Sequence, residues 1–119
     1  MKKVFRIFEV KDGNIKSLFH GTDGSRTLPL DTWIQANIKE VRDGRGNFTY
    51  QSGFHVLLSE EEAINFFEKM FRIKENRQVL PCYIRGELRP KHKNPRKCVK
   101  QSWLADEILI KSEEVFNEN

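Results

Sequence analysis

A chain of 119 residues with 38% hydrophobic and 32% charged side chains has the balance of one globular domain and excludes extended disorder. No run approaches the ~20 apolar residues of a membrane helix, and Met1-Lys2-Lys3-Val4-Phe5 lacks the apolar stretch of a secretory signal, so the expected location is the cytoplasm, with Cys82 and Cys98 as reduced thiols. The net charge of +4 is unevenly placed: from Arg85 to Lys100 seven cations face one anion, Glu87, a local excess that attracts phosphates or an acidic protein surface.

In chain order, Lys3 to Val10 is dense in Val, Phe and Ile. Asp12-Gly13-Asn14 then supplies residues that tolerate positive φ before Ile15 to Phe19, which predicts a hairpin. The polar stretch from His20 to Thr27 is too long for a hairpin turn and contains Gly21 and Gly24, which marks it as a functional-loop candidate. Asp31 is placed to cap a short helix through Trp33 and Ala36. Ile38 to Val41 and Phe48 to Tyr50 flank Asp43-Gly44-Arg45-Gly46-Asn47 as a second hairpin, and Gly53 to Leu58 predicts a further strand.

The best-marked element is a helix over about 59–74. Ser59 and Glu62 have the spacing of a capping box, and Ala63, Phe66, Phe67, Met70 and Phe71 recur on one helical face, predicting a buried stripe. Glu60, Glu61 and Glu62 at its start and Lys69, Arg72 and Lys74 near its end complement the helix dipole. Val79 to Leu88 alternates, with Leu80, Cys82, Ile84 and Leu88 on one face, while Pro81 predicts an edge position or a bulge. Ile108 to Ile110 is the last predicted strand, and the polar residues 113–119 are expected to fray, leaving 1–112 as a single domain. Strands on both sides of one long helix, without regular βαβ alternation, predict an α+β fold in which a small, mostly antiparallel sheet packs on that helix.

Of the potential metal ligands His20, His55, His92, Cys82 and Cys98, none falls at a close zinc-type spacing, so no metal site is expected. The glycines between His20 and Arg26 can bring backbone N–H groups to an anion, although neither a Walker loop nor a dinucleotide fingerprint is present; a surface loop shaped by turn residues is the alternative. His20 and His55 facing one cleft, with Arg26 as an anion clamp, form the ligand reading; for His55 a half-buried strand position stays open beside it. Trp33 and Trp103 suit either stacking on a base or core packing. Arg89 to Lys97 carries five cations and two prolines, which forbid a regular helix and predict an exposed loop. Lys91, Lys93, Arg96 and Lys97 there serve nucleic-acid recognition, docking on an acidic protein, or solubility alone.

Two resemblances attach to these residues. The layout Ser17-Leu18-Phe19, Leu28-Pro29-Leu30 with Trp33 and Ala36, Ser52-Gly53-Phe54-His55, and Trp103-Leu104-Ala105 before Ile108 and Ile110 looks like a family of small uncharacterised phage and prophage proteins. It implies a viral or mobile-element origin, a location in the host cytoplasm and a role against host defence. Over roughly Leu18 to Leu88, His20-Gly21-Thr22 and Gly53-Phe54-His55-Val56-Leu57-Leu58-Ser59 also resemble the first two motifs of the ADP-ribosyltransferase fold, which includes the RNA 2′-phosphotransferases. That resemblance implies a nicotinamide dinucleotide held by His20, Gly21 and Thr22 and stacked by His55. Only Asp106 or Glu107 stands where a catalytic Glu belongs, outside a Gln/Glu-x-Glu context.

The expected function is therefore binding of a nucleotide or another phosphate-bearing ligand between the His20 loop and the His55 strand. Arg26 clamps phosphate in this reading, Arg85 and Arg89 supply the surrounding field, no resident cofactor is required, and the protein antagonises a host system. The alternatives are an ADP-ribosyl or phosphoryl transferase using Glu107, and a basic inhibitor that docks on an acidic host protein or a nucleic acid.

Overall fold

The computed structural model describes residues 1–17, 27–36, 40–42, 49–51, 53–72, 75–90 and 103–115. β1 (Lys2–Lys11) is the longest strand, as its run of β-branched and aromatic residues requires. Asp12 (φ 54°) and Gly13 (φ 77°) make the two-residue turn, whose paired positive φ values match the twist of the strands they join, and β2 (Asn14–Ser17) returns in register from Lys11↔Asn14 to Phe8↔Ser17.

On its other side β1 pairs along its length with β7 (Arg77–Ile84), from Lys2↔Ile84 to Glu9↔Arg77. β10 (Glu107–Leu109) then pairs with Tyr83 and Ile84, and β3 (Trp33–Gln35) closes the row, giving the antiparallel order β2-β1-β7-β10-β3. A second sheet runs β6 (Phe54–Val56), β9 (Trp103–Ala105), β8 (Arg89–Pro90). β4 (Glu40–Arg42) and β5 (Thr49–Gln51) form a hairpin of their own.

Two links curl these sheets into a half-barrel. Phe5 and Leu57 exchange both backbone hydrogen bonds, at 2.9 and 2.8 Å, which joins β1 to the end of β6. At the other side β9 continues into β10 through Asp106 alone, so one segment serves both sheets. The core lies inside this curl. Val4, Phe8, Val56, Cys82, Ile108 and Ile110 are fully buried members of its cluster.

Pro81 is explained by the same ladder. Phe5 directs both its N–H and its C=O to Leu57, so the Phe5↔Pro81 pair is one without mutual hydrogen bonds, and the missing N–H of Pro81 faces away from β1. β10 reaches only Tyr83 and Ile84, so that side of Pro81 is a local edge.

α1 (Glu60–Met70) begins as its sequence predicts, with the Ser59 hydroxyl accepting the Glu62 N–H at 3.1 Å. It ends at Met70 rather than 74, where Phe71 turns extended. Its buried stripe is corrected more strongly. Only Ala63 is buried; Phe66 and Phe67 are half-buried and Met70 is 41% exposed. No residue of α1 belongs to the core cluster. The helix packs on β1 and β7 from outside the curl, and its aromatic residues satisfy one another, with Phe66 and Phe67 edge-on to Phe71 and the Arg77 guanidinium 5.4 Å from the Phe71 ring. The expected mostly antiparallel sheet is present, but its core lies within its own curl rather than against one main helix.

Two other segments differ from expectation. Asp31 does not start a helix; it takes φ 59°, and Trp33–Gln35 is drawn into the sheet by pairing with β10. Its carboxylate instead caps α2 (Ser112–Val115), accepting the Ser112 N–H at 3.0 Å and the Ser112 hydroxyl at 2.7 Å. Around α2 the Tyr83 hydroxyl donates to Glu114, Lys3 lies 3.8 Å from the same carboxylate, and Val115 packs against the core. Among the described residues no helix is long and apolar enough to cross a membrane.

Candidate functional site

The bend at Asp106 places two consecutive carboxylates where the sheets meet. Asp106 accepts the Ala36 N–H through its carbonyl at 2.8 Å, which fixes the end of β3 against the junction. Glu107 opens β10 opposite Gln35, and the Gln35 side-chain amide donates to its Oε1 at 3.3 Å.

Each carboxylate holds an arginine. Arg85, one residue past β7, donates from Nε to Glu107 Oε2 at 2.7 Å and from Nη2 to Oε1 at 3.0 Å, the two-point geometry that a planar guanidinium and a carboxylate share. Its guanidinium carbon lies 4.3 Å from the centre of the Trp33 ring, so the indole supports one of its faces. Arg89, at the start of β8, donates from Nη2 to Asp106 Oδ1 at 2.6 Å. Between the arginines Gly86 adopts φ 85°, a left-handed turn in which glycine carries no steric penalty. Gln35, Ala36, Arg85, Gly86, Asp106 and Glu107 line an open groove of about 370 Å³.

The electrostatics follow from these contacts. The Arg85 hydrogen bonds hold the Glu107 carboxyl below its ordinary range, and Glu107 raises Arg85 in turn. Glu107 is therefore ionised at neutral pH. Because Arg85 is half exposed, the pair is well screened by water and readily exchanged for another partner.

Of the residues singled out in the sequence, the structure brings Arg85, Arg89 and Glu107 to this junction. His55 is half-buried in β6, opposite Leu104. Arg89 stands opposite Leu104 from the other side, so His55 and Arg89 share one face of the small sheet with Leu104 between them. His20, Gly21, Thr22 and Arg26 lie outside the described residues, as do Lys91, Lys93, Arg96 and Lys97, His92, Cys98 and the proposed His20–His55 cleft. Gln35 escaped the sequence reading because a helix was expected there, and Arg6 because a dense apolar strand drew attention to its neighbours. The alternation of Val4, Arg6 and Phe8 was the available signal for Arg6. Trp33 lies outside the core cluster, half-buried under Arg85. Among the described residues no group of three His, Cys, Asp or Glu is placed to hold a metal ion. Comparison of the chain with protein-family models, with curated proteins and with solved structures gives no match.

Proposed function

We propose that this protein binds a nucleotide or another phosphate-bearing ligand in the groove at the strand junction, with Arg85 and Arg89 as its phosphate contacts. The observation that carries this reading is that Arg85 lines the groove, held by Glu107, while Arg89 is held beside it by Asp106, a residue of the same wall. Guanidinium groups recognise phosphate oxygens by charge-assisted hydrogen bonds, and the local cation excess from Arg85 onward favours the same class of ligand. The role proposed for such a binder, antagonism of a host system, rests on the likeness of the chain's layout to small phage proteins.

A second reading uses the same groove. If the ADP-ribosyltransferase resemblance extends to activity, Glu107 is the carboxylate that polarises a ribose hydroxyl of nicotinamide dinucleotide. Its place on the groove wall and its ionised state favour this, whereas its two oxygens are both engaged by Arg85, which favours binding without turnover.

Calorimetric titration with ADP and with the oxidised dinucleotide separates the two. Arg85→Ala and Arg89→Ala are each expected to weaken binding about 10- to 100-fold, the loss of one charge-assisted hydrogen bond worth ~1.5–3 kcal/mol, with the melting temperature nearly unchanged. Undiminished affinity in both variants removes the groove as the site. Nicotinamide release that disappears in Glu107→Gln establishes the transferase in place of the binder.

A further inference from the structure

Arg6 and Arg85 meet aromatic rings in opposite ways. Arg6 is enclosed: 8% of its surface is exposed, the rings of Phe8 and Phe54 lie 5.6 and 5.4 Å from its guanidinium carbon, and its Nη1–H is spent on the His55 carbonyl at 2.8 Å. It staples β1 to β6. Arg85 is open. Its guanidinium carbon stands 4.3 Å over the centre of the Trp33 ring, its Nε and Nη2 are held by Glu107 at 2.7 and 3.0 Å, and 51% of its side chain is exposed. With the indole on one side and the carboxylate along one edge, that exposure falls on the face turned away from Trp33 and on the Nη1 edge, at the wall of the groove.

We infer, on the reading of the groove as a phosphate site, that the outward face of Arg85 is a stacking platform for the flat ring of a nucleobase, so that the ligand is a nucleotide rather than a bare phosphate or a sugar phosphate. Charge alone attracts weakly here, because Glu107 and Asp106 balance Arg85 and Arg89 pair by pair and water screens the exposed Arg85 pair. A guanidinium face offers something else. It is planar and weakly hydrated, so covering it with a π ring displaces little bound water, and bases stack on guanidinium planes as they do on aromatic side chains. Trp33 and Glu107 hold the plane before a ligand arrives, which spares the side-chain ordering that binding otherwise costs. Stacking uses the face and leaves the Nη1 edge, with Arg89 beside it, to meet the phosphate.

The test titrates the full chain with AMP, with adenosine, which has the ring without the phosphate, and with ribose 5-phosphate, which has the phosphate without the ring. AMP is expected to bind about 5- to 150-fold more tightly than ribose 5-phosphate, the range for one stacked base. AMP and adenosine are both expected to move the Arg85 Nε–H cross-peak upfield in a side-chain NMR spectrum, through the ring current of a base lying over the guanidinium. Arg85→Lys, which keeps the charge without the plane, is expected to lose the preference for AMP over ribose 5-phosphate. If ribose 5-phosphate binds wild type as tightly as AMP, the groove stays a phosphate site and the platform is refuted; if AMP binds without the upfield shift, its ring lies elsewhere and the platform is refuted as well. An upfield shift with adenosine and no tighter binding of AMP keeps the platform and removes phosphate recognition instead. Absence of binding by all three overturns both. The wild-type spectrum decides the matter even if the Arg85 variant fails to fold.

Discussion

Replacing Ile108 with Ala, and Phe67 with Ala in parallel, tests whether the curled sheets or the helix hold this fold together. Ile108 is fully buried and lies in register between Ile34 and Ile84, themselves buried. Truncation removes every carbon beyond Cβ, about 2.4 kcal/mol of transfer free energy at ~0.8 kcal/mol per methylene. Strands hydrogen-bonded on both sides cannot close the void, so the cavity brings the expected loss to about 3–5 kcal/mol. Phe67 is the larger side chain, but it is half-buried and outside the core cluster; the expected loss is about 1–2 kcal/mol of partial burial and edge-on contact with Phe71. Urea unfolding followed by the fluorescence of Trp33 and Trp103 measures both, provided the slope with denaturant stays constant across the series. Ile108→Ala should melt ~10–20 °C below wild type and Phe67→Ala only ~3–8 °C below it. Equal losses would show that α1 belongs to the core and that the argument from burial is wrong.

Asp31→Asn tests the cap on α2. The Ser112 hydrogen bonds lower the Asp31 pKa, so its contribution to stability is present above the unfolded value of about 3.9 and is lost as pH falls through the folded one; the stability gap between wild type and variant should be open at neutral pH and close in acid, and a gap independent of pH excludes the cap. Cys82, fully buried and with its thiol pushed up to about 12, should resist alkylation at pH 8 until the protein unfolds, and native-state modification mapped to Cys82 by mass spectrometry would contradict this. Gly53→Ala places a Cβ 3.0 Å from the Ala105 carbonyl oxygen and 3.1 Å from Arg89 Nη2; it should destabilise the fold by about 1–3 kcal/mol and displace Arg89 from Asp106, visible as a lower Tm and a weakened groove, whereas wild-type stability and binding would show that the backbone yields there without consequence.

The sequence alone determined the elements whose chemistry is local. Asp12-Gly13 dictates the first hairpin because few other residues accept two successive positive φ values, Ser59 and Glu62 mark the start of α1, and alternation along Leu80, Cys82 and Ile84 identifies the buried face of β7. Tertiary structure decided everything that depends on a partner distant in the chain. A helical stripe of aromatic residues is the same pattern whether it enters a core or lies across the outside of a sheet, and only the closure of β1 to β6 and of β9 to β10 placed α1 outside. Asp31 has a cap's chemistry in either case, yet the helix it caps begins 81 residues later. Arg85 and Glu107, 22 residues apart, meet because β7 and β10 are neighbours in the sheet, and Asp106 and Glu107 can hold two arginines because the chain bends between two sheets at that point. Side-chain type sets what a residue can bind; strand order sets what it meets.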